Sequence, residues 1–417
     1  MSGASAELDA ALTRFETLYP EKIDLSLERI SVLLEKLDRP QDKLPPVIHV
    51  AGTNGKGSTC AFMRAMAEAA NLKVHVAISP HLVRFNERIR LGGRLVEDEP
   101  LIAWLDRVYD AVGADGQITH FEATMAAAFL AFSEVPADLL ILETGLGGRF
   151  DASNVVDAPA LSVITPVDYD HKAYLGTDIS RIAWEKAGII KRGRPVVSAR
   201  QDFIPSGVIA EEAFALSAPL SVLTRRDIEA SPQTCSLKGR HQIENAALAA
   251  KALSVWGHPE INREAIEAGA AEAVWPARMQ RLADGPVTQI AEHCEVWLDG
   301  GHNPHAANAV AELLGEMPGD VALVCAMMAG KDAAGFFRAF AGLKPVVFVC
   351  PNAEGHKGAD PNDLVLAANI AGLEATACAA LEDALRAASK TKPARILICG
   401  SLYLAGNVLR LNNQCPS

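Results

Sequence analysis

Residues 49–60 read HVAGTNGKGSTC, a stretch in which three glycines, a lysine and three hydroxyls crowd together. Such a mixture suits an anion. Glycines let successive backbone N–H groups turn inward around a phosphate, and a helix start just behind them adds partial positive charge. Lys56 has the reach to neutralise a β- or γ-phosphate, and Ser58 or Thr59 can ligate Mg²⁺. The spacing departs from the commonest phosphate loop, which runs Gly, four residues, Gly-Lys, then Ser or Thr. Val50 stands in the place of the first glycine and Gly57 in that of the hydroxyl, and the hydroxyls after the lysine come one residue late, at Ser58 and Thr59. Taken alone, the stretch suits either a nucleotide site of another make or a glycine-rich turn that binds nothing.

Two further segments carry acidic and imidazole groups. DLLILETGLGGRFDASN puts Glu143 at the carboxyl end of a hydrophobic run. An acidic metal ligand sits there in P-loop folds, and open α/β sheets bind ligands at that edge. Gly145, Gly147 and Gly148 suggest backbone passing close to a ligand; a solvated strand-end carboxylate is the plainer alternative. VITPVDYDHKAYLG repeats the arrangement with Asp168, Asp170 and His171. A histidine beside carboxylates at a strand end serves as a metal ligand or as a structural residue.

To converge, these residues need strands that end along one edge, and the chain supplies them. PPVIHVAG, KVHVAIS, ADLLILET, ALSVITPV and RPVVSA are short apolar runs that read as buried strands. Between them lie helical stretches, notably STCAFMRAMAEAANL and FEATMAAAFLAFSEV, while Leu27, Ile30, Leu34 and Leu37 mark an amphipathic helix. This βα alternation predicts a mostly parallel sheet covered on both faces. ARMQRLADGPV breaks the rhythm, and a second βα series follows with EVWLDGG, DVALVCAMM, PVVFVCP and ARILICGS. The expected fold is α/β: a P-loop-containing N-terminal domain over residues 1–284, then a smaller, Rossmann-like α/β domain over 285–417, divided near Asp284-Gly285-Pro286.

Composition narrows the classes. Of 417 residues, 49% are hydrophobic and 22% charged, as in ordinary globular proteins. A net charge of −12 argues against nucleic acid or an anionic membrane as partner, and no apolar run approaches a membrane span. Eight scattered cysteines without a Cys-x-x-Cys read as reduced thiols, and MSGASAELDAALTRF lacks a signal-peptide pattern. A cytosolic protein is expected.

Six segments occur in order between about Val47 and Gly406: GTNGKGST, ETGLGGRFDASN, DHKAYLG, EKAGII, GRHQIENAALAA and DGGHNP. Together they resemble the folylpolyglutamate synthase/dihydrofolate synthase family of the Mur ligase superfamily, whose phosphate loop has the form G-T-x-G-K-G-S/T. The resemblance implies that Lys56 and the backbone of Gly52, Thr53, Asn54, Gly55, Gly57, Ser58 and Thr59 hold ATP phosphates. It implies Ser58 and Glu143 as ligands of one Mg²⁺ and His171 as a ligand of a second. Lys186 matches a lysine that is carbamylated in the family, Asn245 the adenine-binding Asn, and Arg278 an arginine on the phosphates. Asp299 and His302 match residues on the ribose and phosphate side. For the pterin it points to Asp151, Thr119, Phe121 and Arg84.

The implied activity is an ATP-dependent amide ligase. It adds L-glutamate to dihydropteroate and to the glutamate tail of reduced folates through an acyl phosphate, releasing ADP and phosphate. Lys56, Lys186, His171 and Arg278 carry the catalysis in this scheme. An acyl phosphate hydrolyses easily, so closure of two domains that excludes water is expected. Gly301 replaces the usual Ala of DGGHNP, and Lys331-Asp332 lacks the usual preceding Asp, which leaves acceptor specificity open. The alternatives are one of the two activities alone, a Mur-type cell-wall peptide ligase, a P-loop kinase or GTPase, and a non-catalytic nucleotide-binding module.

Overall fold

The computed structural model describes residues 6–16, 18, 26–113, 116–353 and 357–416. The chain forms two compact units. The first comprises Met1–Ser236 and Ile243–Val274; the second comprises Leu237–Gln242 and Trp275–Pro416. The break at Asp284-Gly285-Pro286 falls inside the second unit, where Gly285 packs on Asn412 and the Val287 amide donates to Asn412 Oδ1 at 3.0 Å.

The first unit is built on eight strands: β1 (Val47–Ala51), β2 (Val74–Ala77), β3 (Ile89–Leu91), β4 (Arg94–Leu95), β5 (Leu139–Glu143), β6 (Leu161–Ile164), β7 (Val196–Ser198) and β8 (Leu220–Val222). Their order is β4-β3-β2-β5-β1-β6-β7-β8, parallel from β2 to β8, with β3 and β4 as an antiparallel edge hairpin. Every residue of β1, β5 and β6 is buried, as apolar runs in a sheet covered on both faces must be. β1 lies between β5 and β6, pairing Val50 with Glu143 and Ala51 with Ile164. Helices α1 (Ala6–Glu16), α2 (Glu28–Lys36), α3 (Lys56–Ala69), α4 (Asp98–Val112) and α5 (His120–Glu134) precede β5, and α6 (Lys172–Leu175) and α7 (Ile179–Ala187) follow β6. Helix α5 is almost wholly buried; its run of alanines lets the core cluster with Phe15, Ile30, Trp104 and Leu105 close around it.

The second unit has its own sheet of β9 (Gln280–Arg281), β10 (Glu295–Leu298), β11 (Val321–Cys325), β12 (Val346–Val349), β13 (Ala375–Ala377) and β14 (Arg395–Cys399), ordered β13-β12-β11-β14-β10-β9. All pairs are parallel except β9 with β10. A separate core holds Met279, Trp297, Leu323, Phe336 and Leu397. Among the described residues no helix is long and apolar enough to cross a membrane.

Candidate functional site

The carboxyl ends of β1, β5 and β6 stand side by side in the first unit, and the candidate residues gather there. β1 ends in a turn only glycine can make: at Gly52 (φ +149°) a Cβ would lie 1.9 Å from Thr165 Oγ1. The Thr53 and Asn54 amides donate to Pro166 O, and Thr53 Oγ1 donates to Asp168 O at 2.8 Å, which ties the turn to the segment after β6. Gly55, at φ +83°, is the N-cap of α3, and no side chain caps that helix end. Its first N–H groups are left for an anion. Asn245 packs directly on Gly55, where a Cβ would come within 2.6 Å of its Oδ1. Ser58 and Thr59 are buried in the first turn of α3, and Thr59 Oγ1 has no hydrogen-bond partner.

Two lysines converge on one carbonyl oxygen. Lys56 Nζ donates to Gly52 O at 3.2 Å, and Lys186 Nζ donates to the same oxygen at 2.9 Å. Lys186 arrives there because the glycine loop after β5 lies backbone to backbone on the end of α7. A Cβ on Gly148 would meet Glu185 O at 2.8 Å and Lys186 O at 3.0 Å, and the Arg149 amide donates to Glu185 O at 2.7 Å. Asn154 Nδ2 closes the joint by donating to Arg149 O and Gly188 O. Lys186 is 4% exposed. Burial, aided by the Lys56 charge, pushes its pKa down to about 7 against the pull of Asp170, Glu185 and Asp151.

Glu143 is buried at the end of β5, and with Ser79, Arg88, Phe121, Thr124 and Met125 it lines a small cavity. Ser79 Oγ is buried with no hydrogen-bond partner. Neither Ser79 nor Arg88 was singled out from sequence; a serine before a proline carries no signal of its own. His171, in the left-handed region at φ 51°, caps α6 with its side chain 44% exposed, while Asp170 beside it is buried. Among the described residues no three His, Cys, Asp or Glu side chains form a metal-binding group. A site of one carboxylate plus hydroxyls suits Mg²⁺, which keeps waters and relies on substrate phosphates instead of an all-protein cage. The orphaned hydroxyls of Thr59 and Ser79 fit that donor set.

Of the four residues assigned to the pterin, Thr119 and Phe121 stand at the N-terminus of α5. Thr119 is its N-cap, in a reciprocal box with Glu122. Arg29 locks this box by pairing with Glu122 at 3.2 Å. Phe121 touches Gly145, where a Cβ would lie 2.6 Å from the ring. Arg84 begins the turn before β3, whose Phe85 meets His120 edge-on at 5.9 Å. Buried Glu87 holds that turn by accepting from the Leu82, Val83 and Arg84 amides. Burial next to Arg88 lowers the His120 pKa to about 4, so the ring is neutral. Asp151 was expected to offer its carboxylate to a ligand. In the structure it is 3% exposed and accepts from Leu146 N at 2.8 Å, Ser153 N at 3.0 Å and Ser153 Oγ at 2.5 Å. Much of its acceptor capacity goes to its own loop, and burial raises its pKa.

In the second unit Arg278, Asp299 and His302 come together. Asp299 accepts from Met279 N at 2.8 Å and Gly301 N at 2.7 Å, so it knits the turn at residues 277–279 to the DGGHNP loop. The Arg278 guanidinium lies against Gly300, where a Cβ would be 2.7 Å from Nη1. His302 Nδ1 bonds Gly300 O at 3.0 Å. Asn303 caps the next helix, Pro304–Glu316.

Known proteins are similar to this chain over most of its length. Residues 277–402 match the family model described as Mur ligase, glutamate ligase domain. The chain is 34% identical to the dihydrofolate synthase/folylpolyglutamate synthase of Escherichia coli K12, over 98% of this chain and 96% of that protein. It superposes on E. coli FolC in complex with DHPP and ADP with a TM-score of 0.85 at 31% identity, covering 99% of each chain. It also superposes on a bifunctional folylpolyglutamate synthase/dihydrofolate synthase with Mn, AMPPNP and L-glutamate bound, with a TM-score of 0.83 at 30% identity and 98% of each chain covered.

Proposed function

The chain belongs to the dihydrofolate synthase/folylpolyglutamate synthase family, and from that premise we propose that it joins L-glutamate to dihydropteroate and to reduced folates at the expense of ATP. The observation that carries this reading is the pair of lysines on Gly52 O beneath the uncapped start of α3, beside Glu143. Such an arrangement neutralises phosphate and serves phosphoryl transfer, where catalysis is mostly positioning and charge.

In the proposed mechanism the substrate carboxylate attacks the γ-phosphate, giving an acyl phosphate and ADP. The amine of L-glutamate then attacks the acyl carbon, and amide and phosphate leave. Lys56 exchanges its bond to Gly52 O for the transferring phosphate. Residues Gly52, Thr53, Asn54, Gly55, Gly57, Ser58 and Thr59 cradle the phosphates, and Asn245 reads adenine beside Gly55. Arg278, Asp299 and His302 serve the nucleotide from their own cluster. Glu143, with Ser58, Thr59 or Ser79 as hydroxyl partner, would hold one Mg²⁺, and His171 with Asp170 a second. Bound there, the metal supplies charge neutralisation for the phosphates. Lys186, with its pKa lowered to about 7, is in substantial part neutral near pH 7, the form that combines with CO₂, so a carbamate belongs to this reading. Phe121 offers a stacking face to the pterin, with Arg84 and Thr119 at its rim and Asp151 holding the loop behind. A cytoplasmic monomer, in keeping with eight free cysteines, completes the proposal.

The test is product analysis with ATP, L-glutamate and either dihydropteroate or a reduced folate. ADP, phosphate and the glutamylated product should appear in equal amounts in both reactions. Release with one acceptor alone would reduce the proposal to a single activity, and release with neither would overturn it.

A further inference from the structure

His49 and Ser153 have no part in the roles above, yet both are fully buried and polar. His49 faces inward from β1, and its Nε2 lies 2.9 Å from Ser153 Oγ. Ser153 Oγ in turn lies 2.5 Å from Asp151 Oδ1. The direction of donation follows from chemistry. A carboxylate only accepts, so the hydroxyl proton goes to Asp151, and the serine's lone pairs accept from a His49 Nε2–H. His49 is then the Nε2–H tautomer with a bare Nδ1, and that Nδ1 is indeed buried with no hydrogen-bond partner. Burial keeps the ring neutral, with its pKa lowered to about 3. Donation runs from His49 to Ser153 and from Ser153 to Asp151, whose Oδ2 also accepts from the Leu146 amide. It joins the strand that feeds the phosphate loop to the loop whose Gly145 backs Phe121.

We propose that His49 and Ser153 are positioning residues for the acceptor substrate, acting through Asp151 to set the 145–153 loop against Phe121. This rests on the folate-ligase reading of the site. A purely structural role would lower stability and disturb all substrates alike. A positioning role changes the constant for the acceptor and spares those for ATP and glutamate.

The experiment compares Ser153→Ala, His49→Leu, their double variant and His49→Gln with wild type. Losing a bond that feeds a carboxylate should raise KM for dihydropteroate about tenfold in each of the first two, with KM for ATP changed less than about twofold. The double variant should be no worse than the poorer single one, because both break one chain. His49→Gln, whose side-chain amide can still donate, should recover most of the loss. Nitrogen NMR of the wild-type ring should show protonated Nε2 and bare Nδ1. An Nδ1–H tautomer, additive effects in the double variant, or equal rises in KM for ATP and dihydropteroate would each overturn the inference. If wild type itself fails to turn over dihydropteroate, it is the functional reading that falls; if wild type turns over and the selectivity is missing, only the relay does.

Discussion

Gly52 O receives two ammonium groups, and they reach it for different reasons. Lys56 was legible in the sequence, because a lysine after glycines at a helix start has a recognisable job. Lys186 was not: from composition it is an ordinary helix lysine, and its burial comes from Gly148 lying on the backbone of α7, a contact far apart in sequence. The two should therefore fail differently. Lys56 bonds only loop carbonyls, so Lys56→Ala should keep its circular dichroism spectrum while losing about a hundredfold or more in turnover. Wild-type turnover by a folded Lys56→Ala would remove the phosphate role. For Lys186 the lever is pH. Its folded pKa lies below the unfolded value of 10.5, so the unfolded chain binds more protons between about pH 7 and 10.5. The cost of burying it is full below about 7 and fades as pH rises. The same neutral amine is what carbamate formation requires. Stripping CO₂ from the buffer should lower activity, and bicarbonate should restore it faster at about pH 8 than at about pH 6, where the amine is protonated. Activity indifferent to bicarbonate at both values would remove the carbamate from the mechanism.

At the level of elements, what could be read in advance were the strands buried on both faces. β1, β5, β6, β11 and β14 are mostly apolar runs, and each lies where such a run was found. The short pieces β3, β4, β8, β9 and β13 gave no such signal, because two or three residues make no run, and all but β3 have one open side that needs little apolar sequence. The turn Gly92-Gly93, both at positive φ, makes the β3–β4 hairpin, and this pair of glycines was the clue left unread. The phosphate turn shows how far geometry constrains one position. Gly52→Ala would force a Cβ into Thr165, so it should cost about 2 kcal/mol or more in urea unfolding and weaken ATP binding. Gly207, within the helix Phe203–Ala215, has nothing within 4 Å of a built Cβ, and Gly207→Ala should stabilise by about 0.5–1 kcal/mol. Equal effects from the two substitutions would show that the turn is not constrained as described.

Over the whole molecule, the rhythm of the sequence located two α/β units but could not see which residues cross between them. Met279 precedes the break at Asp284, yet its side chain lies in the second unit's core with Trp297, and its amide is held by Asp299. Residues 237–242 also belong to that unit, from far upstream. Both assignments depend on long-range pairing that no local pattern records. The nucleotide provides a test that reports on the folded chain as a whole. A ligand that binds only the folded state stabilises it by about 2.7 kcal/mol at a hundred times its Kd. Unfolding entropy is about 2.1 cal/mol/K per residue, so for 417 residues the midpoint should rise by about 3 °C with a non-hydrolysable ATP analogue and Mg²⁺. If Lys56 neutralises the bound phosphate as proposed, then at the same analogue concentration Lys56→Ala should shift by less than about 1 °C. A full shift in that variant would put the nucleotide somewhere other than the turn between β1 and α3.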